Sequence, residues 1–566
     1  MTKVYAADFE TNNHEDDCHV WEWGIAKVGE SDVSFGEDIG DFMFYIEKNS
    51  PCVSYFDNLK FDGGFILDWL FRQGYTFTED RNPQVGEFSC TISGLGEMFN
   101  IRVGFKGKGN RVKIAEFRDS YKIIPMSIAD MADAFGLDIH KIEEPDEWYN
   151  MRRPVGYKPT AEDHAYLAND VIILSLCLAQ MLDRGFDKMT IGANALEFYK
   201  KNSESFSLFY GANGVDEYLR KAYNGGWCYV NPAIKEEEQG EGLVLDINSM
   251  YPYVMHDRLL PYGNPIYFKG RYNILHSEAH PLYIQHLRCS FELKEGYFPT
   301  LQVKNSLKFH KAEYLESSEY EVIDLYMTNV DLALFFEHYD VRDVEYIDGY
   351  MFKGRMGMFN DYIEYWYDSK AQAGREGNKG LRQISKLFLN NLYGKFSINP
   401  KFRNKIPYYE DGVVKYRFTD YKERQPLYIP VGIFITSYAR SYIIRAAQAL
   451  HDRFLYADTD SLHIKGREIP TDIEIDASAL GAFKIEAIMK RGKYIHSKCY
   501  CEELSEDGGK TWYTKVTVAG LPHKFHAQHT FDEFMVGTQY EGVLKPVTVR
   551  GGVILVPKEK PFTIGA

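Results

Sequence analysis

The stretch "FLYADTDSLHI", Phe454 to Ile464, sets two aspartates, Asp458 and Asp460, among residues that favour strands. On an extended chain residues i and i+2 share a face, which would aim both carboxylates the same way. Two like charges so placed repel unless a cation or a proton lies between them. Asp-Thr-Asp-Ser is equally good turn chemistry, so this stretch alone leaves a metal site and a solvated hairpin turn both open. A third aspartate, Asp246, closes the apolar run of "LVLDINSMYP", where burial without a cation or hydrogen bonds is costly. Asp246, Asp458 and Asp460 together would form a two-metal site for nucleotidyl transfer.

A second acidic set begins earlier. "KVYAADFET" carries Asp8 and Glu10 at i and i+2 of a predicted strand, and Asp62 lies in "NLKFDGGF". Tyr166 and Asp170 in "YLAND" are four apart, hence on one face of a predicted helix. Four acids and a tyrosine suit two Mg²⁺ ions clamping a phosphodiester, with Tyr166 orienting the attacking water. Any one such acid is more often a surface residue; the ordered set is far more specific. In "GLRQISKLFLNNLYGKF", Arg382, Lys386 and Asn390 recur every four residues, with Tyr393 three further on. A solvated helix face is the plain interpretation, but Asn390 and Tyr393 break the usual Lys/Glu surface pattern and suit base and sugar contacts.

The elements that must position these groups are legible in outline. Strands and helices alternate to about residue 189, enough for one compact α/β domain. Thr160 is placed to cap a long helix, and "MFNIRVGFKGKGNRVKIAEFRDS" reads as a hairpin around Gly107 and Gly109. From Tyr362 to Tyr393 the pattern is helical, broken at "GREGNKG"; Asp411-Gly412 marks a further hairpin, and the last forty or so residues read as short strands and turns. At 566 residues the chain exceeds one core. Its net charge of −16 argues against a protein that coats nucleic acid through bulk charge, though not against a locally basic channel. Aromatic residues make up 15%, mostly core but also able to stack on unpaired bases. Asp8 and Glu10 come too early for a secretory signal, and "VIILSLCLAQML" is too short to span a bilayer. The 8 cysteines include no C-x-x-C pair, so a reduced, cytoplasmic protein without structural metal or membrane partner is expected.

Taken in order, "DINSMYP", "KLFLNNLYG" and "YADTDS" resemble the polymerase motifs of family B DNA polymerases, and "DFET", "NLKFDG" and "YLAND" those of the attached 3′–5′ exonuclease. "YNGGW" at Tyr223 to Trp227 and "KCY" at Lys498 to Tyr500 resemble the protein-primed, phi-29-type subgroup. The resemblance runs along essentially the whole chain. It implies an α/β multidomain fold, with a ribonuclease-H-like exonuclease domain and a right-hand polymerase of palm, fingers and thumb. The implied boundaries are exonuclease 1–189, palm 190–258 and 424–523, fingers 357–396 and thumb 524–566. Two insertions, 259–356 and 397–423, would contact the priming protein and separate downstream strands, respectively.

The resemblance also implies roles. Asp246 and Asp458, with the carbonyl of Ile247 and with Asp460 beside them, would hold the polymerase metals. Tyr251 would lie under the deoxyribose, Lys370, Arg382 and Lys386 would meet the phosphates, and Asn390 and Tyr393 would line the nascent base pair. Thr436, Ala439, Arg440, Lys498 and Tyr500 would contact primer–template, while Tyr223, Gly225 and Gly226 would mediate between synthesis and editing. Asp8, Glu10, Asp62 and Asp170 would bind the editing metals, with Tyr166 on the water and Lys141 on the scissile phosphate. Thr11, Asn58, Phe61, Phe65, Ser120, Tyr121 and Tyr149 would hold the frayed strand. Asp57 stands where members of the group have a histidine, Asn391 where they have a serine, and "GREGN" adds length to the fingers.

The expected protein is thus a monomeric, phage-encoded replicase of the host cytoplasm. Its cofactors would be two Mg²⁺ per site, with Mn²⁺ as a possible substitute. Its partners would be primer–template, single-stranded DNA, dNTPs and a terminal protein. The competing readings are a DNA-primed repair polymerase of the same family and a nonenzymatic DNA-binding protein whose acids are solvated turns.

Overall fold

The computed structural model describes residues 2–565 apart from 143–147, 149–150, 274, 276–277 and 303–312. Tyr149 lies outside the described residues. Two large sheets carry the two acid sets. In the first, the strand Lys3–Thr11 turns Phe9 into a cluster with Phe42 and Phe56, and so leaves Asp8 and Glu10 on its opposite face. That strand pairs antiparallel with Val20–Lys27 and parallel with Cys52–Phe56, which runs parallel to Val112–Asp119. Met98–Lys106 completes the expected hairpin with Val112–Asp119.

Two local features bring further acids back to this face. Asn58, at φ 56, adopts the left-handed conformation that Asn tolerates, so the chain leaves Cys52–Phe56 and enters the helix Leu59–Arg72 within two residues. Asp62 therefore sits in that helix's first turn. The helix Ala161–Leu182 starts at Thr160 with a reciprocal capping box to Asp163 and packs across Lys3–Thr11 and Val20–Lys27. By length and composition it could cross a membrane. Here Leu167, Val171, Leu174, Leu178 and Met181 are instead buried in the protein core.

In the second sheet the order is Tyr513–Val518, Cys499–Ser505, Phe483–His496, Gly242–Ile247, Ser461–Lys465, Phe454–Asp458, Cys228–Val230. The helix Ile429–Ala449 is buried around most of its circumference behind it. Helices Asn360–Arg375 and Lys379–Asn391 pack against each other; the polar "GREGNKG" break is their turn, with Gly377 at φ 69 and Asn378 capping Leu381. A separate four-stranded sheet, Leu260–Lys269, Tyr339–Arg355, Leu282–Leu293 and Ile323–Thr328, occupies the first region expected as an insertion.

The Asp411-Gly412 hairpin joins Asn404–Glu410 to Val413–Phe418, with both turn residues at positive φ. Its attachment was not legible in sequence: Asn404 pairs with Ser93 and Lys405 with Ile92, so the hairpin extends the first sheet. The C-terminal hairpin, Leu544–Val549 with Gly552–Pro557, packs on the helix Leu59–Arg72. There the backbone approach requires glycine: a Cβ at Gly64 would lie 2.2 Å from Val553 Cγ2. Gly64→Ala should therefore lower Tm by several degrees, an overpacking cost of about 1–3 kcal/mol. Val553→Ala should recover much of that loss in the double variant. Calorimetry finding Gly64→Ala as stable as the parent would show that this seam yields freely.

Candidate active sites

The first sheet collects Asp8, Glu10, Asp62 and Asp170 at one place. Burial, then the Asp170 charge, pushes Asp8 up to about 7. Burial and the Asp8 charge push Glu10 and Asp62 well above the carboxylate range. Lys141 answers part of this negative charge by pairing with Asp170 Oδ2. Asp170 Oδ1 is buried with no hydrogen-bond partner among the described residues. Buried oxygens raised by mutual repulsion, one of them orphaned, are a donor set that fits divalent cations. Tyr166 lies beneath Lys141, whose Nζ is 5.5 Å from its ring centroid, and packs at 4.7 Å on Trp148.

Around this cluster the residues expected to hold a single strand divide. Thr11 and Phe61 are half-buried, Asn58 is exposed and Tyr121 is 43% exposed, so these offer surface. Phe65 and Ser120 do not. Phe65 is buried beneath Phe61, at 5.6 Å between centroids, and Ser120 is buried with its hydroxyl donating to Asp57 Oδ1 at 3.3 Å. Their place is to support Phe61 and Asp57. Asp57 itself is pushed to about 7 by burial and by Asp119.

Sequence reasoning missed two groups here. Arg153 is buried between Trp21 and Trp148, 4.3 and 4.2 Å from their ring centroids, and its backbone N–H donates to Asn12 Oδ1 at 2.9 Å. It thereby ties Trp148, and through it Tyr166, to the sheet. Glu22, cross-strand from Glu10, is buried and bonded to His164. Neither carries a motif; both depend on strand register.

The opening question about Asp458 and Asp460 resolves with a correction. They do not share one strand face: Asp458 ends one strand, Thr459 turns at φ 63, and Ser461 starts the next strand opposite Asp458. The turn and the acid cluster are the same object, because it abuts Asp246. Burial and the charge of Asp246 raise Asp460 to about 6. Asp458 falls below the usual carboxylate range: burial works upward, but Cys228 and Lys498 outweigh it. Lys498 Nζ reaches both carboxylate oxygens of Asp458 at 2.8 and 3.0 Å, and Cys228 Sγ donates at 2.9 Å. Asp246 pairs with Lys484 at 3.1 Å. The Ile247 N–H bonds the Asp460 carbonyl at 2.9 Å, setting Ile247 beside the cluster. Asp246, Asp458 and Asp460 lie within reach of one another's charge, two of them held by ammonium groups, and carboxylate oxygens are donors of the kind divalent cations take.

Beside this cluster Tyr251 and Tyr393 lie ring to ring at 4.1 Å, and burial, with the charge of Asp460 nearby, pushes both phenols above their ordinary value. The Tyr223–Trp227 loop runs close over the turn: Thr459 N–H donates to Trp227 O at 2.9 Å, and a Cβ on Gly226 would lie 2.6 Å from Thr459 Oγ1. Gly225 is exposed. Arg382, Lys386 and Asn390 form the expected exposed stripe on Lys379–Asn391, while Asn391 turns back to donate to Leu387 O. Lys370 is held below the usual ammonium range, first by burial and then by the charges of Arg382, Lys484 and Lys386.

Four residues expected on primer–template are not presented to it. Thr436, Ala439 and Arg440 are buried on the helix Ile429–Ala449, and Tyr500 is buried against Tyr456. Arg440, 5% exposed, grips Asp331 through Nη2 at 2.9 and 2.8 Å, and its Nη1 donates to the carbonyls of Asn224 at 2.7 Å and Gly225 at 2.9 Å. It fastens the Tyr223–Trp227 loop and the helix Asn329–His338 to the helix Ile429–Ala449. Lys498 is exposed and remains available.

Comparison with known proteins accords with this geometry. The model of DNA polymerase type B, organellar and viral, matches residues 46–151 and 142–479. The DNA polymerase of Bacillus phage phi29 is 40% identical over 99% of both chains, and that of Streptococcus phage Cp-1 is 33% identical over 98% of both. A solved phi29 DNA polymerase complexed with primer-template DNA and incoming nucleotide substrates superposes with a TM-score of 0.92, at 39% identity and full coverage of both chains. The chain belongs to the type B DNA polymerases, the organellar and viral family, and within it to the protein-primed phage group. Its enzyme class is DNA-directed DNA polymerase, and enzymes of this family generally depend on divalent metal.

The raised carboxyls have a consequence for stability. A carboxyl raised from 3.8 to about 7 contributes no penalty below about pH 4, a growing one from there to about pH 7, and a constant full penalty above it. Asp8→Asn should therefore raise Tm in EDTA at pH 8, by roughly 2–4 °C for each kcal/mol relieved. At pH 4 it should change Tm little. An equal shift at both pH values, measured by calorimetry, would refute charge crowding as the cause.

Proposed function

We propose that the chain is a replicative polymerase that copies DNA at the Asp246–Asp458–Asp460 site and edits at the Asp8–Glu10–Asp62–Asp170 site. The observation that carries this reading is the presence of two carboxylate clusters on two different sheets, one of them beside the Tyr251–Tyr393 ring pair and the exposed Arg382–Lys386–Asn390 stripe. In synthesis the primer 3′-oxygen bonds to the α-phosphorus of a dNTP while the bond to pyrophosphate breaks and the hydroxyl proton is lost. In editing a water oxygen bonds to the terminal phosphorus, leaving a 3′-hydroxyl on the shortened strand and a free nucleotide.

Divalent ions, for which Mg²⁺ is our choice, would be held by Asp246, Asp458 and the Ile247 carbonyl, and by the four editing acids. When bound they supply the charge that steadies the phosphate oxygens. The chain's own residues do the rest. Tyr251 and Tyr393 close the pocket about the sugar and base, and Lys370, Arg382 and Lys386 draw in the triphosphate. Lys498 and the Tyr223–Gly226 loop steer the primer end, and Lys141 and Tyr166 face the phosphate and water in editing. Thr11, Asn58, Phe61 and Tyr121 guide the frayed strand.

The boundaries given above for exonuclease, palm, fingers, thumb and the two insertions are our assignment. So is the terminal protein as initiating partner, its hydroxyl replacing the primer's and the four-stranded sheet near it. Action as a monomer in the cytoplasm of a phage host belongs to the same reading. The hairpin at Asp411-Gly412, pinned to the editing sheet, is placed to part downstream duplex.

On a primed single-stranded circle with dNTPs and Mg²⁺, products should grow many times longer than the circle. Products ending at one circumference would favour a repair polymerase, and none at all would sink the reading. Asp458→Ala should abolish extension and spare degradation, with Asp8→Ala doing the reverse; loss of both from either, with the fold intact, would refute two separate sites. Removing the hairpin tip, residues 408–414, should spare gap filling and cut displacement through a long duplex, and unchanged displacement would show that it is not the wedge.

A further inference from the structure

Lys484 belongs to none of the motifs considered above. It lies in the strand Phe483–His496, directly across from Asp246 in the antiparallel register, and its Nζ is 3.1 Å from Asp246 Oδ1. Its side chain is 36% exposed, so it faces the open side of the site rather than the core. Its charge also reaches Lys370, alongside those of Arg382 and Lys386. Four cationic side chains thus converge at one mouth, three from the helices Asn360–Arg375 and Lys379–Asn391 and one from the sheet that carries the acids.

Of the acids at this mouth, Asp246 alone is paired with one of the four cations by an ion-pair distance among the described residues. Like charges packed this closely repel, and Asp246 cannot answer them all. A polyanion delivered to the same point would, and a nucleoside triphosphate carries enough charge. The partnership with Asp246 costs little to exchange, since an ion pair open to water is screened and weak.

We propose that Lys484 is a further triphosphate contact, an ammonium from the palm strand that leaves Asp246 when a dNTP arrives and holds the phosphates that depart as pyrophosphate. This rests on the nucleotidyl-transfer reading of the site. It separates Lys484 from the lysines and arginine of the helices, because Lys484 is fixed to the acid-bearing sheet and reaches the phosphates from there.

The test compares Lys484→Ala and Lys484→Arg with the parent. Lys484→Ala should raise the KM for dNTP about tenfold, the size of one charge-assisted hydrogen bond, and change kcat less than twofold. The KM for pyrophosphate in the reverse reaction should rise by a similar factor, and Lys484→Arg should restore most of both. Equilibrium binding of dNTP to the complex with a dideoxy-terminated primer, in Ca²⁺, should weaken in parallel, while degradation of single-stranded DNA stays unchanged. If both KM values hold and only the metal concentration needed for activity falls, Lys484 is merely the counter-ion of Asp246 and the proposal fails. Failure of the parent protein to extend a primer would instead strike the nucleotidyl-transfer reading itself.

Discussion

Carboxylates cannot be crowded together in a protein without something positive to hold them, and much of this fold answers to that constraint. Lys141 sits on Asp170, Lys484 on Asp246 and Lys498 on Asp458, so each acid cluster carries at least one ammonium of the protein's own. The pairs differ in depth. Asp170 is buried and its pairing is enclosed, whereas Lys498 and Lys484 pair from the open side. The cluster of Asp8, Glu10, Asp62 and Asp170, with Asp8 raised to about 7 and Glu10 and Asp62 pushed well above the carboxylate range, is the more strained of the two. The sheets supply the rigidity that this crowding demands, because strand ends cannot drift apart to relieve it.

Structure behind the clusters serves the same end. Arg153 between Trp21 and Trp148 is a buried cation, stabilised by two aromatic faces and packed so as to keep Trp148 against Tyr166. Arg440 does comparable work on the other sheet, where one guanidinium joins Asp331, the Tyr223–Trp227 loop and the helix that carries it. Both are buried positive groups answered by a carboxylate, Asp163 at 3.5 Å from Arg153 and Asp331 at 2.8 Å from Arg440.

What could be seen in the sequence was whatever short-range spacing encodes. Asp8 and Glu10 at i and i+2, Tyr166 and Asp170 at i and i+4, the Thr160 cap and the Asp-Gly hairpin all express local periodicity. Long-range register encodes the remainder. Glu22 meets Glu10, and Lys484 meets Asp246, only because particular strands pair, and nothing near either residue announces it. The Asp458–Asp460 stretch shows how a turn and an acid cluster can be one object, since the turn at Thr459 is what points the acids. Thr436, Ala439, Arg440 and Tyr500 show the converse. A motif locates a residue near a site, but whether its side chain faces the cleft or the core depends on what packs against the helix or strand that bears it.

The Asn404–Glu410 hairpin strand joins the first sheet through two backbone residue pairs, Asn404 with Ser93 and Lys405 with Ile92. That short join covers part of a strand edge that would otherwise offer free backbone groups to another chain. Beyond those pairs the hairpin is held by its side chains: Val414 is buried in the core of the same sheet, and Tyr409 stacks on Phe71 at 5.5 Å between ring centroids. Its anchorage is therefore mostly apolar, and it depends on side-chain fit more than on backbone pairing.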